Sequence, residues 1–193
     1  MQHSKDRPVW AGTVWLGVAL LCAAGTLFAA DDVFRVGLAG KTWSVALKLP
    51  GFAVKMSKVD EQQRFWRASD PSRRLDIAVA ISPRGGKATA EGCKEFMNKL
   101  LADQKVEGAT FTNVGPFTRT VFRRDIKVHG APVVVLQARQ CAPRGDVYVD
   151  VNLTQLRLDG GPADPAKLIP ILDGLALEDV PEPAAPATAV PKP

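Results

Sequence analysis

The sequence predicts an α+β domain: an antiparallel β-sheet flanked by helices. Three observations predict it. Several segments alternate apolar and polar residues and are separated by short turns rich in Gly, Pro and Asp. One segment, 89–105, instead carries an apolar stripe at helical spacing. A second capped helix follows the last long strand, at about 165–174.

The elements follow in chain order. Lys5 and Arg7 precede residues 9–30, which hold no charge, and Asp31 and Asp32 come next. A basic start and an apolar run read as an export signal. The run is also long enough to cross a bilayer. Residues 1–30 are therefore a signal peptide or an N-terminal membrane anchor with a cytoplasmic N-terminus. Both readings export the rest of the chain. It is periplasmic or secreted after cleavage, or anchored in the inner membrane facing outward. Leu21 stands before Cys22 where a lipoprotein signal wants a small residue, so lipidation is set aside.

The domain, residues 33–180, begins near Val33. In "KTWSVALKL" (41–49), Trp43, Val45, Leu47 and Leu49 share one face. "PGF" at 50–52 breaks the strand. "AVKMSKV" and "QRFWRAS" form a hairpin around "DEQ", "DPSRR" at 70–74 turns, and "LDIAVAIS" at 75–82 is the next strand. "PRGGKA" leads into the helix. There Cys93, Phe96, Met97, Leu100 and Leu101 form the stripe, Thr89 is the N-cap, and Glu91 suits the first turn. "EGATFTNVGPF" reads as a linking stretch. Three strands follow at about 118–128, 132–141 and 146–158, joined by turns in "HGAP" and "APRGD". Asp164 caps the second helix and Pro165 suits its first turn, whereas Pro170 would kink it. "LALEDV" returns as a short edge strand. Residues 181–193, "PEPAAPATAVPKP", are a Pro/Ala-rich tail expected to be disordered.

This order of elements resembles the PsbP-like superfamily. The Trp-bearing strand running into "LPGF", the long helix, the three-strand meander, "VYVDVNLTQLRL" and the closing "PADPAKLIPILDGL" carry the resemblance, over about residues 41–178. The group includes the photosystem II extrinsic PsbP protein, a small Ran-binding nuclear import factor and exported bacterial proteins. The resemblance implies a PsbP-like α/β/α sandwich. It also implies a protein-binding or accessory role, with a protein partner in the cell envelope. It carries over no catalytic residue.

Composition adds bounds. Net charge is +5, but the basic residues are dispersed, so no nucleic-acid-binding face is expected. Membrane contact is expected only through residues 9–30, if they are retained. Outside the signal there are two cysteines, Cys93 and Cys141. An oxidising compartment lets them pair. The bridge would close a loop of about 48 residues, worth ~4 kcal/mol in the chain-entropy account. The alternative is two buried thiols acting as small hydrophobes.

The strand 146–158 places Asp146, Tyr148, Asp150 and Asn152 on one face and Val147, Val149, Val151 and Leu153 on the other. Pairing with i + j near about 287 sets apolar against apolar. The polar face then carries two rows, Arg124–Gln137–Asp150 and Phe122–Arg139–Tyr148. They read as a charge-assisted row and an Arg lying on aromatics. Such rows satisfy a polar sheet face. The same residues, Arg124, Gln137, Arg139, Tyr148 and Asp150, are also the candidate binding face.

Other chemistry finds little support. His129 is the one histidine past the signal and sits in a turn; no G-x-S-x-G occurs. Asp146 and Asp150 lie roughly 13 Å apart along a strand, too far for one ion. No motif marks a carboxylate pair for glycoside hydrolysis. "PRGGK" at 83–87 lacks Walker spacing, though an anion at the helix N-terminus fits it. Trp43 and Trp66 read as core. No catalytic residue, metal site or cofactor is expected. The sequence thus favours an exported, non-catalytic accessory or protein-binding domain. The alternatives are a protein binding a small ligand or anion on its Arg-rich sheet face, and an unrecognised hydrolase.

Overall fold

The computed structural model describes residues 33–60, 62–83, 85–106, 109–158 and 163–180. The signal or anchor reading of 1–30 and the tail reading of 181–193 fall outside them. Ten strands are β1 Val33–Gly37, β2 Trp43–Lys48, β3 Ala53–Val59, β4 Arg64–Asp70, β5 Leu75–Pro83, β6 Phe111–Val114, β7 Phe117–Val128, β8 Ala131–Arg144, β9 Val147–Arg157 and β10 Leu175–Asp179. The helices are α1 Ala90–Asp103 and α2 Ile169–Asp173, the latter preceded by a 3₁₀ turn Pro165–Leu168.

The strands form two antiparallel sheets. One has the order β1-β2-β10, the other β3-β4-β5-β9-β8-β7-β6. The fold is therefore a sheet-rich α+β fold. One face of the large sheet carries Ile77, Val79, Leu136, Ala138, Val149 and Val151 into a core shared with Val45 and Leu47 of the small sheet and with Leu49 just past β2. Leu168 and Leu172 of the 3₁₀ turn and α2 join that core. The opposite face meets α1, through Cys93 and Met97 packed with Cys141 and Tyr148. The expected helix-flanked sheet thus needs correction. A helix covers part of one face; a second sheet together with α2 covers the other. Trp43 and Trp66 are buried, and the Phe34 and Trp66 rings lie 5.3 Å apart.

Three local corrections have physical causes. The stretch read as a link contains β6, a short strand paired to β7 across a turn where Gly115 takes φ +56. Its side chains are mostly exposed, so it lacks the alternation that marks a strand. The second helix divides into the 3₁₀ turn and α2, which places Pro170 in the first turn of α2, where a missing N–H costs nothing. Asp164 caps the 3₁₀ turn by accepting from Ala166 N.

The third correction is register. Turn chemistry sets it. His129 and Gly130 form the β7–β8 loop with φ +49 and +83, a pair of positive angles that a two-residue hairpin loop favours. The expected register would have put Ala131 in that loop. Likewise Gly145, at φ +65, opens the β8–β9 loop, because Arg144 pairs with Val147. The expected register would have centred the loop on Pro143, whose ring fixes φ negative. Parity survives, so the paired residues stay on their expected faces, whereas Asp146, expected on the polar face of the strand, falls in the β8–β9 loop.

Candidate functional site

Arg139 pairs across the sheet with Thr120 on one side and Asn152 on the other. Gln137 pairs with Phe122 and Thr154, and Asp150 with Cys141 and Ala80. The expected rows Arg124–Gln137–Asp150 and Phe122–Arg139–Tyr148 are not formed. Asp150 instead reaches diagonally to Arg139. The Arg139 Nε donates to Oδ1 at 2.7 Å and Nη2 to Oδ2 at 2.5 Å, a bidentate pair. Both side chains are nearly buried, 13% and 11% exposed. Phe96 of α1 lies over the Arg139 guanidinium, 5.5 Å from ring centroid to Cζ. An aromatic on the arginine was legible; that it comes from the helix was not.

The five expected face residues divide. Arg139 and Asp150 satisfy one another. Tyr148 is buried, and its hydroxyl accepts from Thr89 N at 3.3 Å. Gln137 Nε2 donates to Asn152 Oδ1 at 3.4 Å and Thr154 Oγ1 at 3.5 Å, while its Oε1 is buried without a partner among the described residues. Arg124 stands apart, facing Val135, with Nε buried and unpartnered among the described residues. Thr120 Oγ1, on the same face, is in the same state.

The other candidates resolve simply. Cys93 and Cys141 form a disulfide, both fully buried. Asp146 sits in the β8–β9 loop and pairs with Lys41 Nζ at 2.9 Å, which holds its carboxyl below the usual range. His129 is a loop residue. At the start of α1, Thr89 Oγ1 already accepts from Gly92 N at 3.0 Å, so the helix caps itself where an anion was considered. No group of three or more His, Cys, Asp or Glu is placed to hold a metal among the described residues. No helix there is long and apolar enough to cross a membrane.

Two constellations escaped the sequence reading. Arg119 is buried on the core face, where Nε donates to Gln140 Oε1 at 2.5 Å and Nη2 to Asp173 Oδ1 at 2.6 Å, tying β7 and β8 to the end of α2. Period-two alternation put Arg119 on the inner face, and that was the available signal. At the "LPGF" corner, Asp70 accepts from Ser72 Oγ at 2.5 Å and from Arg73 N and Nε. Arg73 also donates to the Pro50 carbonyl at 2.8 Å and lies over the Phe52 ring. The Ser72 hydroxyl first and then Arg73 lower the Asp70 carboxyl to about 2.

No family model matches the chain. No curated protein matches it. A crystal structure of a protein from Bacteroides thetaiotaomicron VPI-5482, at 1.50 Å resolution, resembles it with a TM-score of 0.42 and 12% identity. The match covers 73% of this chain and 47% of that one, so this chain spans about half its length.

Proposed function

We propose that this is an exported, non-catalytic domain that binds a protein partner in the cell envelope, built on a variant of the PsbP-like sandwich. One observation carries the reading. The β3–β4 hairpin exposes apolar side chains on both faces of one sheet edge, Val54 and Val59 on one and Met56 and Phe65 on the other, 48%, 54%, 38% and 37% exposed. Clustered exposed apolar side chains mark interaction surfaces, whereas single ones are ordinary. The ionic face residues Arg139 and Asp150 are meanwhile occupied with each other. The buried disulfide suits an oxidising compartment. The test is site-specific photo-crosslinking in cells, with the crosslinker at Ser57 on β3 and at Lys127 on β7. Specific capture of an envelope protein from either position is expected; none from either position counts against the reading.

A second reading, binding of a small anion, is favoured by Arg124, whose buried Nε lacks a partner among the described residues. Salt-sensitive anion binding lost in Arg124→Ala supports it, and its absence by calorimetry removes it.

A further inference from the structure

The large sheet ends in β3, whose outer side pairs with no strand among the described residues. All seven of its residues are exposed. An edge strand of this kind presents a row of unpaired backbone N–H and C=O groups, the template for strand addition. At the other end of the same sheet, β6 has only four residues. A bulge between Val54 and Met56 interrupts β3, leaving Met56–Val59 in regular register with Arg67–Arg64.

Charge selects the occupant. Lys55 and Lys58 are exposed and have no ion pair among the described residues. Arg64 donates to Ser57 Oγ at 2.7 Å, and its Nε is buried without a partner among the described residues. Among the described residues the nearby acids are committed elsewhere: Asp60 accepts the Gln62 and Gln63 amides, Asp70 holds Arg73, and Asp76 holds Arg67, while Glu61 lies outside the described residues. The described residues of this edge, Lys55, Lys58 and Arg64, are therefore cationic beside the exposed apolar side chains. A second copy of this chain fits badly. A second copy brings another Lys55 and Lys58 to the same edge, and like charges brought together across a strand pair destabilise it.

Resting on the protein-binding reading, we propose that β3 docks an extended acidic segment of the partner, which joins the sheet as an additional strand. Met56 and Lys58 share one face of the edge, and Ser57 and Val59 the other. The docked strand sets its carboxylates on the face of Met56 and Lys58, beside Lys58, and its apolar side chains on the face of Ser57 and Val59, beside Val59. A depression of about 650 Å³, lined by Lys58, Val59, Arg64, Phe65, Ala80 and Ser82, adjoins the edge and receives one of its side chains.

The probe is a capped heptapeptide alternating Val and Glu, with a Val/Lys counterpart, added to the full chain recovered from the envelope. Amide hydrogen exchange is read residue by residue. The acidic peptide is expected to slow exchange at β3 and to bind about tenfold tighter than the basic one. Lys55→Glu/Lys58→Glu reverses that preference and, lying at exposed positions, leaves the melting curve unchanged. Equal binding of both peptides, or protection away from β3, overturns the proposal. Crosslinking separates the two failures. A partner captured from Ser57 and lost in the charge-reversed variant supports β3 docking. A partner captured only from Lys127 keeps the protein-binding reading and overturns β3 docking. A second copy of this chain captured from Ser57 also overturns it, and capture from neither position overturns both.

Discussion

Gly92 lies directly against Tyr148: a Cβ on Gly92 would stand 2.0 Å from the tyrosine hydroxyl oxygen and 3.1 Å from Cζ. That hydroxyl accepts from Thr89 N, the N-cap of α1. Helix start and sheet rim are thus in contact at one atom. In an unconstrained helix, alanine would be the better residue by about 1 kcal/mol. Here Gly92→Ala is expected to destabilise by about 1–3 kcal/mol, because Tyr148 must move and release the Thr89 amide. Tyr148→Phe removes the closest atom and should recover part of that loss. Urea denaturation of the two single variants and the double variant measures it.

The Arg139–Asp150 pair makes a second prediction. Arg139→Met leaves a carboxylate in a site where only 11% of its side chain is exposed. The expected cost is about 3–5 kcal/mol. Arg139→Met combined with Asp150→Asn removes both charges and should cost clearly less than Arg139→Met alone. A double-mutant cycle from thermal or urea unfolding reads the coupling, and simple additivity would show that the pair contributes nothing.

How far the sequence could carry this fold depends on which physics sets each element. Period-two alternation placed β7, β8 and β9 within a few residues, because these strands bury one face. It placed Arg139, Tyr148 and Asp150 on the correct face for the same reason. Their partners were not legible. The slide between strands is decided by which residues tolerate positive φ in a two-residue loop, here Gly145 and the His129–Gly130 pair. Phe96 over Arg139 was out of reach because it depends on where α1 crosses the sheet. The covering of the core face by β1, β2 and β10 was likewise hidden, since β10 pairs with β2 across most of the chain.

The "LPGF" corner predicts a pH dependence. Asp70 has its carboxyl held at about 2, against an ordinary 3.8, by the Ser72 hydroxyl and Arg73. A depressed carboxylate stabilises the fold at pH above its unfolded value. That contribution is lost progressively as pH falls from near 3.8 through about 2. Urea midpoints taken down this range should fall, and Asp70→Asn should flatten the slope while lowering stability at neutral pH. An Asp70→Asn variant with the wild-type acid slope would assign the slope to other carboxylates.

The disulfide makes the last prediction. Cys93 lies on the buried side of α1, and Cys141 in β8 on the sheet face that meets it, with Cα atoms 5.6 Å apart. The enclosed loop, with a sequence separation of 48, contains most of α1, all of β6 and β7, and much of β8. Cross-linking so long a segment lowers the entropy of the unfolded chain, so a stabilisation of about 2–4 kcal/mol is expected. Cys93→Ala/Cys141→Ala should lower the urea midpoint accordingly. Reductant should bring the wild type to nearly the same midpoint, and should leave the double variant unmoved. Because both sulfurs are buried, reduction should be slow in buffer and fast once urea opens the α1 contact. Intact mass of the untreated protein, two hydrogen atoms below the reduced value, identifies the bridge independently of stability. Equal midpoints for oxidised and reduced protein would mean that packing of α1 on the sheet, rather than the covalent link, holds this half of the fold.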